Sequence, residues 1–237
     1  MLPPQGRVVL VSGAARGIGR AIAETLHAKG YTVSLGARNQ DALAEVTAGF
    51  DRDRTLTAVY DALDKATHKA WVDATLQRFG RIDALVNNAG VSLPVGIMDD
   101  DEEALDRTWA VNVKAPLSMI RLCLPHLKAS GSGRVVNVSS LSGKRVRIDN
   151  VAYCTSKFAV TALTHGIRQA AWQDGVRATA LCPGYVRTDM TADVTKVARE
   201  DMIDPADLAE LAATVIALPN TASVAEMLVN PGWEAML

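Results

Sequence analysis

A tyrosine and a lysine, Tyr153 and Lys157, stand four positions apart in a stretch with a helical pattern. Residues at this spacing lie on one face of a helix, a turn from each other. A free tyrosine titrates near ~10, too high for efficient proton exchange at neutral pH. A cation ~4 Å away, at an effective dielectric constant of ~20, contributes about 4 kcal/mol, or roughly three pKa units. The pair alone is compatible with a helix surface, but it predicts an acidic phenol that exchanges protons.

A serine, Ser140, precedes Tyr153 by 13 residues and follows a predicted strand at Arg134–Val138. Residues just beyond the carboxyl ends of parallel strands are the ones that meet ligands. We therefore expect the Ser140 hydroxyl to hold a substrate oxygen beside Tyr153. The neighbouring Ser139 and Ser142 are interpreted as loop hydroxyls.

A glycine-rich loop near the amino terminus, Ser12–Gly19, has the pattern G-x-x-x-G-x-G at Gly13, Gly17 and Gly19. A side chain at these positions would block the turn and keep phosphates at a distance. The loop opens a helix, whose first N–H groups and positive dipole end suit a pyrophosphate. The alternative is a plain strand-to-helix turn. The apolar strand before the loop and the apolar helix stripe after it favour a dinucleotide site.

The stretch after the second predicted strand reads Leu35–Asn39 and contains no carboxylate. An acid at this place usually binds the ribose 2′-hydroxyl of NAD, and it would repel the 2′-phosphate of NADP. Arg38 can instead hold that phosphate through charge-assisted hydrogen bonds, and Arg16 can approach it from the glycine loop. Either arginine alone can be a solvated surface charge. Both together predict NADP(H) as cofactor, with NAD(H) the less favoured alternative.

Strands and helices alternate along the chain, and this succession forces parallel pairing because each helix carries the chain back across the sheet. Helices are predicted after the glycine loop as far as Gly30, from an N-cap at Asn39, and near Asp64–Phe79, Glu102–Lys128, Tyr153–Gln173 and Pro205–Leu218. The predicted strands are Val8–Val11, Tyr31–Leu35, Leu56–Tyr60, Ala84–Val86, Arg134–Val138, Arg177–Leu181 and Ala225–Val229. The fold class is α/β, a single Rossmann-type doubly wound domain over residues 1–237, with a seven-stranded parallel sheet and helices on both faces.

The composition excludes several classes of protein. The 237 residues carry 25 Lys and Arg against 26 Asp and Glu, and a net charge of −1 argues against nucleic acid and anionic membranes as partners. The cysteines, an odd number without C-x-x-C spacing, argue against a disulfide framework and a zinc site, and no metal is expected. Without a signal peptide or a long apolar stretch, the protein is expected in the cytoplasm.

Two charged clusters have competing interpretations. The acidic run Asp99–Glu103 can bind a cation, but acids that open a helix are favoured by its dipole. Lys144, Arg145 and Arg147 lie between Ser140 and Tyr153, where they either attract an acidic substrate or form a solvated loop.

Over nearly its whole length the sequence resembles the short-chain dehydrogenase/reductase family. Five elements carry the resemblance in family order: the glycine loop, Asn87-Asn88-Ala89-Gly90, Asn112, Ser140 with Tyr153-x-x-x-Lys157, and Pro183-Gly184. The resemblance implies catalytic roles for Ser140, Tyr153, Lys157 and Asn112, the last holding a water that links Lys157 to solvent. It also implies that Lys157 reaches the nicotinamide ribose. The other cofactor contacts it implies are Gly13, Ala15, Arg16, Gly17, Ile18, Gly19, Arg38, Asp61, Asn88, Ala89, Gly90, Tyr153, Pro183, Gly184, Val186 and Thr188, with Asp61 at the adenine.

The function predicted from the sequence is an NADP(H)-dependent oxidoreductase that interconverts a ketone or aldehyde and an alcohol, with Tyr153 as general acid and base. The alternatives are an NAD-dependent alcohol dehydrogenase on the same site and a non-catalytic dinucleotide-sensing protein. Met190, Val194 and Val197 recur at helical spacing, which predicts a short amphipathic helix. Its apolar stripe either packs on the core or, as the resemblance implies for this segment, belongs to a substrate lid at about 186–204 and faces an apolar substrate. By resemblance, a homodimer or homotetramer is expected.

Overall fold

Seven parallel strands of the computed structural model, which describes residues 1–233, form one sheet in the order β3-β2-β1-β4-β5-β6-β7. The strands are β1 Val8–Ser12, β2 Thr32–Ala37, β3 Thr55–Val59, β4 Ala84–Asn87, β5 Arg134–Val138, β6 Arg177–Pro183 and β7 Glu226–Val229. From β1 the chain continues to β2 and β3 on one side of that strand, and it then crosses back so that β4 pairs with the other side of β1. This reversal opens a crevice beyond the carboxyl ends of β1 and β4.

Helices cover both faces of the sheet. They are α1 Gly17–Ala28, α2 Gln40–Thr47, α3 Lys65–Phe79, α4 Glu102–Trp109, α5 Ala115–Ala129, α6 Val151–Ala171 and α7 Pro205–Ala217. Alternate residues of β1 enter opposite cores: Val9 and Val11 pack with α1, α2 and α7, whereas Val8 and Leu10 pack with α3, α5 and α6. Because both faces of β1 are buried, the strand is apolar throughout, as the sequence predicted.

The predicted fold class is confirmed, with adjustments at the ends of elements. The N-cap at Asn39 is confirmed, since its Oδ1 accepts the N–H of Ala42 at 3.0 Å. The long helix predicted at Glu102–Lys128 is wrong in one respect: a π-helical turn at Ala110–Lys114 separates α4 from α5. Within residues 1–233, no helix combines the length and the low polarity that crossing a bilayer demands.

The amphipathic helix predicted in the lid is wrong. Residues 186–204 contain two short 3₁₀ turns, Asp189–Thr191 and Arg199–Asp201, and no α-helix. Thr188 and Thr191 cap each other and close a single turn, and several β-branched residues after it disfavour a longer helix. Met190 is 54% exposed and so does not pack as a stripe on the core. A β-bridge between Val186 and Ile203 closes the base of this segment.

Candidate active site

The glycine loop has the shape that a dinucleotide needs. Gly13 and Gly17 have φ values of +67° and +54°, a region that favours glycine. A Cβ on Gly19 would lie 2.3 Å from the carbonyl oxygen of Gly13, so loop and helix can pack this closely only without a side chain. The N-cap residue of α1, Arg16, provides no side-chain hydrogen bond to the first turn. The first N–H groups of α1 are therefore available to a pyrophosphate, and the residues present fit that group.

Ser12 joins the carboxyl ends of β1 and β4. Its buried Oγ accepts the N–H of Asn88 at 3.0 Å and that of Ala89 at 3.1 Å, and it donates to the carbonyl of Val86 at 3.4 Å. In the opposite direction, the Asn88 side-chain amide donates to the carbonyl of Ser12 at 3.0 Å and to that of Gly13 at 3.3 Å. Sequence reasoning missed Ser12. A hydroxyl at the last position of an otherwise apolar strand is the signal that could have found it.

The structure places the two arginines proposed for the 2′-phosphate in different settings. Arg38 follows β2 and is exposed, and within residues 1–233 it has no hydrogen bond or ion pair. Arg16 instead forms an ion pair with Asp189 of the lid segment, at 3.1 Å between Nη1 and Oδ2. These side chains are 76% and 71% exposed, so the pair is weak and can be exchanged for another anion.

Ser140, Tyr153 and Lys157 come together where β5 ends and α6 begins. The Ser140 hydroxyl accepts the N–H of Ser142 at 3.0 Å and lies 3.4 Å from the carbonyl of Pro183, and it is close enough to Tyr153 to lower the pKa of the phenol. The Lys157 ammonium lies 5.5 Å from the centre of the Tyr153 ring and donates to the carbonyl of Val138 at 2.9 Å. The three side chains thus lie together at the carboxyl end of the sheet.

The acidic phenol expected from the sequence is not found in the protein alone. Burial raises the pKa of Tyr153, although the neighbouring Ser140 hydroxyl opposes this effect. Burial also lowers the pKa of Lys157 to about 8, because the residue is 6% exposed and no carboxylate of residues 1–233 pairs with it. The expected Coulomb gain assumed a ~4 Å separation, whereas the ammonium is held by a backbone carbonyl and faces the ring from farther away.

Asn112 lies in the π-helical turn and is bound to a loop from β4. Its Oδ1 accepts the N–H of Val91, and its Nδ2 donates to the carbonyl of Val91 and to Ser156 Oγ, each at 2.9 Å. A Cβ on Gly90 would lie 3.3 Å from Asn112 Oδ1 and 3.7 Å from Lys157 Nζ. Asn112 therefore fixes the loop beside Lys157 through both the oxygen and the nitrogen of its side-chain amide. Its role in holding a water stays a prediction.

The end of β6 closes the site on the side of the lid. A Cβ on Gly184 would lie 2.7 Å from Pro231 and 3.2 Å from Leu141. Thr188 approaches the glycine loop so closely that a Cβ on Gly17 would lie 3.2 Å from its methyl group. Thr188, one of the residues predicted at the nicotinamide end, thus lies next to the glycine loop.

Each charged cluster contributes a contact within the fold. Lys144 pairs with Glu226 of β7 at 2.7 Å, and Glu226 also contacts His165 at 2.7 Å, so Lys144 is directed toward the edge strand. Within the acidic run, Asp101 caps α4 by accepting the N–H of Ala104 at 2.9 Å. Residues 1–233 contain no group of three or more His, Cys, Asp or Glu side chains placed to hold a metal ion.

Comparison with known proteins agrees with this geometry. Residues 7–199 match the family model described as short chain dehydrogenase. An agropine synthesis reductase of Rhizobium rhizogenes is 46% identical over 221 residues, 93% of this chain and 51% of the relative. The chain thus spans about half the length of the first curated relatives it matches. An uncharacterized oxidoreductase of Staphylococcus saprophyticus is 36% identical, and the match covers 98% of this chain and 100% of the relative.

Two solved structures share the whole fold. One is an alcohol dehydrogenase from Thermococcus sibiricus complexed with 5-hydroxy-NADP, with a TM-score of 0.88, 26% identity, and coverage of 98% of this chain and 99% of that one. The other is a 3-ketoacyl-(acyl-carrier-protein) reductase from Brucella melitensis complexed with NADH, with a TM-score of 0.89, 28% identity, and coverage of 96% and 98%.

Proposed function

Because this chain belongs to the short-chain dehydrogenase/reductase family of oxidoreductases, we propose that it is an NADP(H)-dependent reductase that interconverts a ketone or aldehyde and the corresponding alcohol. The observation that carries this proposal is the grouping of Ser140, Tyr153 and Lys157 at the carboxyl end of β5. This group lies opposite the glycine loop, whose following helix α1 has no side-chain N-cap. The name of the relative from Rhizobium rhizogenes supports reduction as the direction of the reaction.

The cofactor would lie along the carboxyl ends of β1, β2, β4 and β6. The glycine loop would hold the pyrophosphate, Asp61 the adenine, and the segment from Pro183 to Thr188 the nicotinamide end. When bound, the nicotinamide supplies or accepts the hydride. Arg38 supports NADP(H) over NAD(H), because it is a cation at the end of β2 with no competing partner within residues 1–233.

The proton would pass through Tyr153. The Tyr153 hydroxyl donates its proton to the substrate oxygen as negative charge develops there, and the Ser140 hydroxyl donates a second hydrogen bond to the same oxygen. The ammonium of Lys157 stabilises the phenolate that Tyr153 becomes. Burial raises the pKa of Tyr153 in the protein alone, which keeps the phenol protonated and ready to donate.

Turnover on a carbonyl panel tests this proposal. The loss of NADPH and NADH absorbance is followed with aldehydes, ketones and quinones, for the parent, Tyr153→Phe, Ser140→Ala and Ser142→Ala. Tyr153→Phe is expected to lower kcat by about 10²–10⁴-fold, with cofactor affinity retained. Ser142→Ala is the matched control, because it contributes its backbone N–H to Ser140 and keeps that group.

A Tyr153→Phe protein that keeps most of its turnover on an authentic substrate would rule out this mechanism. Tight NADPH binding without turnover on any carbonyl would favour the alternative of a dinucleotide-sensing protein. An apolar substrate remains part of the proposal, although the lid segment forms no α-helix whose apolar stripe would support it.

A further inference from the structure

A buried histidine, His68, occupies the first turns of α3, behind the expected adenine end of the crevice. We infer that His68 is a positioning residue for the adenosine half of the cofactor, which it serves by fixing the main chain of Asp61. This inference rests on the proposed function for the presence of a dinucleotide. It concerns a side chain that touches neither the cofactor nor the reacting atoms.

The imidazole of His68 bridges two different elements. The residue has no exposed surface, its Nε2 lies 2.9 Å from the carbonyl oxygen of Asp61, and its Nδ1 lies 3.0 Å from Ser118 Oγ on α5. A carbonyl oxygen only accepts, so the proton is on Nε2, and Nδ1 accepts from the Ser118 hydroxyl. Of the two contacts, acceptance by Nδ1 from Ser118 is the one that requires the neutral ring. Burial favours that form by lowering the pKa of His68.

The main chain of Asp61 is held at both of its polar groups. Its N–H donates to Thr67 Oγ1 at 3.0 Å, and its carbonyl accepts from His68, from Thr67 Oγ1 at 3.2 Å and from the N–H of Asp64 at 3.0 Å. Its carboxylate is outside this network: Oδ1 accepts the N–H of Leu63 at 3.0 Å. Asp61 is only half-buried, so the carboxylate can meet a ligand while the backbone behind it is clamped.

An aromatic stack fixes the histidine ring itself. The Tyr60 ring stacks on His68 with 4.9 Å between centroids, and Tyr60 in turn packs on Trp71 at 5.2 Å. A stacked ring with both nitrogens bonded has no freedom to turn. Any leucine-sized side chain could fill this space, but only a side chain with both a donor and an acceptor can tie the end of β3 to α5.

Binding measurements on cofactor fragments separate this role from simple packing. Adenosine 2′,5′-bisphosphate, reduced nicotinamide mononucleotide and NADPH are titrated by calorimetry into the parent, His68→Leu, His68→Gln and Thr75→Val. His68→Leu is expected to lose roughly three- to tenfold in affinity for the bisphosphate and NADPH, the worth of one neutral hydrogen bond. Affinity for the mononucleotide should not change. His68→Gln, which keeps a donor and an acceptor, should recover most of the loss.

Thr75→Val controls for general weakening of α3. Thr75 is as buried as His68, and its hydroxyl bonds Ser34 at 2.7 Å and the carbonyl of Trp71 at 2.9 Å, away from Asp61. Should His68→Leu fail to fold, nitrogen-15 spectra of the parent histidines give an independent readout. A neutral His68 ring protonated at Nε2 supports the positioning role, whereas a ring protonated at Nδ1 or doubly protonated at pH 7 overturns it.

The outcomes also distinguish this inference from the proposed function. A folded His68→Leu protein that binds the bisphosphate as tightly as the parent overturns the positioning role and leaves the reductase intact. An equal loss in Thr75→Val, or an equal loss for the mononucleotide, likewise overturns it. If the parent binds neither the bisphosphate nor NADPH, the positioning role and the proposed function both fail.

Discussion

Replacing Lys157 by methionine should stabilise the protein while it abolishes catalysis. Lys157 is 6% exposed, and within residues 1–233 its ammonium has one hydrogen-bond acceptor, the carbonyl of Val138. Burial lowers its pKa from 10.5 to about 8, and a difference of this size means that the charged form costs about 3 kcal/mol in the folded state. Methionine has a similar length and no charge, and the carbonyl it leaves behind costs about 1 kcal/mol. Lys157→Met should therefore gain about 2 kcal/mol at pH 7.

The pH dependence of this gain has a definite sign. An unfolded lysine keeps its proton up to ~10.4, whereas Lys157 in the folded protein loses it above about 8. Between these values the unfolded state binds more protons, so the stability of the parent rises with pH. The advantage of Lys157→Met is full below about 8 and is lost as the pH approaches ~10.5.

Urea unfolding of parent and variant, at pH 7 and at pH ~10.5, measures the difference in their free energies of unfolding. At neutral pH, a gain of about 2 kcal/mol also raises Tm by roughly 4–8 °C in a chain of this size. Lys128→Met is the matched control, because Lys128 is partly exposed and paired with Asp174, at 2.8 Å. Its loss should change stability by no more than about 1 kcal/mol. A Lys157→Met protein that is less stable than the parent, by the same amount at both pH values, would refute the reasoning.

Three further predictions follow from other contacts. Arg38→Gln should lower affinity for NADPH about tenfold relative to NADH. Arg16→Gln should lower it only roughly two- to threefold, because Arg16 must first break its ion pair with Asp189. Cofactor titrations that show equal effects of the two substitutions would contradict this order. Ser12→Ala leaves two backbone N–H groups without their acceptor. The free energy of unfolding, measured in urea, should therefore fall by about 2–4 kcal/mol. A fall of less than about 1 kcal/mol would contradict this prediction. Because burial lowers the pKa of His68, the parent should lose stability as the pH falls below ~6.5, and His68→Gln should remove that component; identical acid profiles of the two proteins would speak against it.

The sheet could be predicted because its signals are local. Val8–Val11 is apolar at every position since both faces of β1 are buried, and Asn39 caps α2 through a contact within its own turn. Ser140, Tyr153 and Lys157 also come together as their positions in a β-α unit predict, because a strand end and the helix after it have little freedom of placement.

Features that depend on distant partners could not be predicted. The amide of Asn112 bonds Val91 from within a π-helical turn, although the sequence of this stretch shows a plain helical pattern. His68 acquires its role only when α5 brings Ser118 to the ring. The pKa of Tyr153 in the protein alone is a further example, since the spacing of Tyr153 and Lys157 determines a shared helix face, but neither the burial that raises this pKa nor the carbonyl of Val138 that accepts from Lys157. An acidic Tyr153 with the oxidised cofactor bound stays a prediction.

The π-helical turn at Ala110–Lys114 also changes how the helices on its two sides can vary. A π turn amounts to one residue inserted into an α-helix, so the faces of α4 and α5 are offset by about 100° around the common axis. A helical wheel drawn through the whole stretch would assign core positions to the surface. Deletion of a single residue here would bring the two faces back into phase and pull Asn112 off Val91. Related sequences should therefore align without gaps across this turn, while the outward faces of α4 and α5 diverge independently of each other.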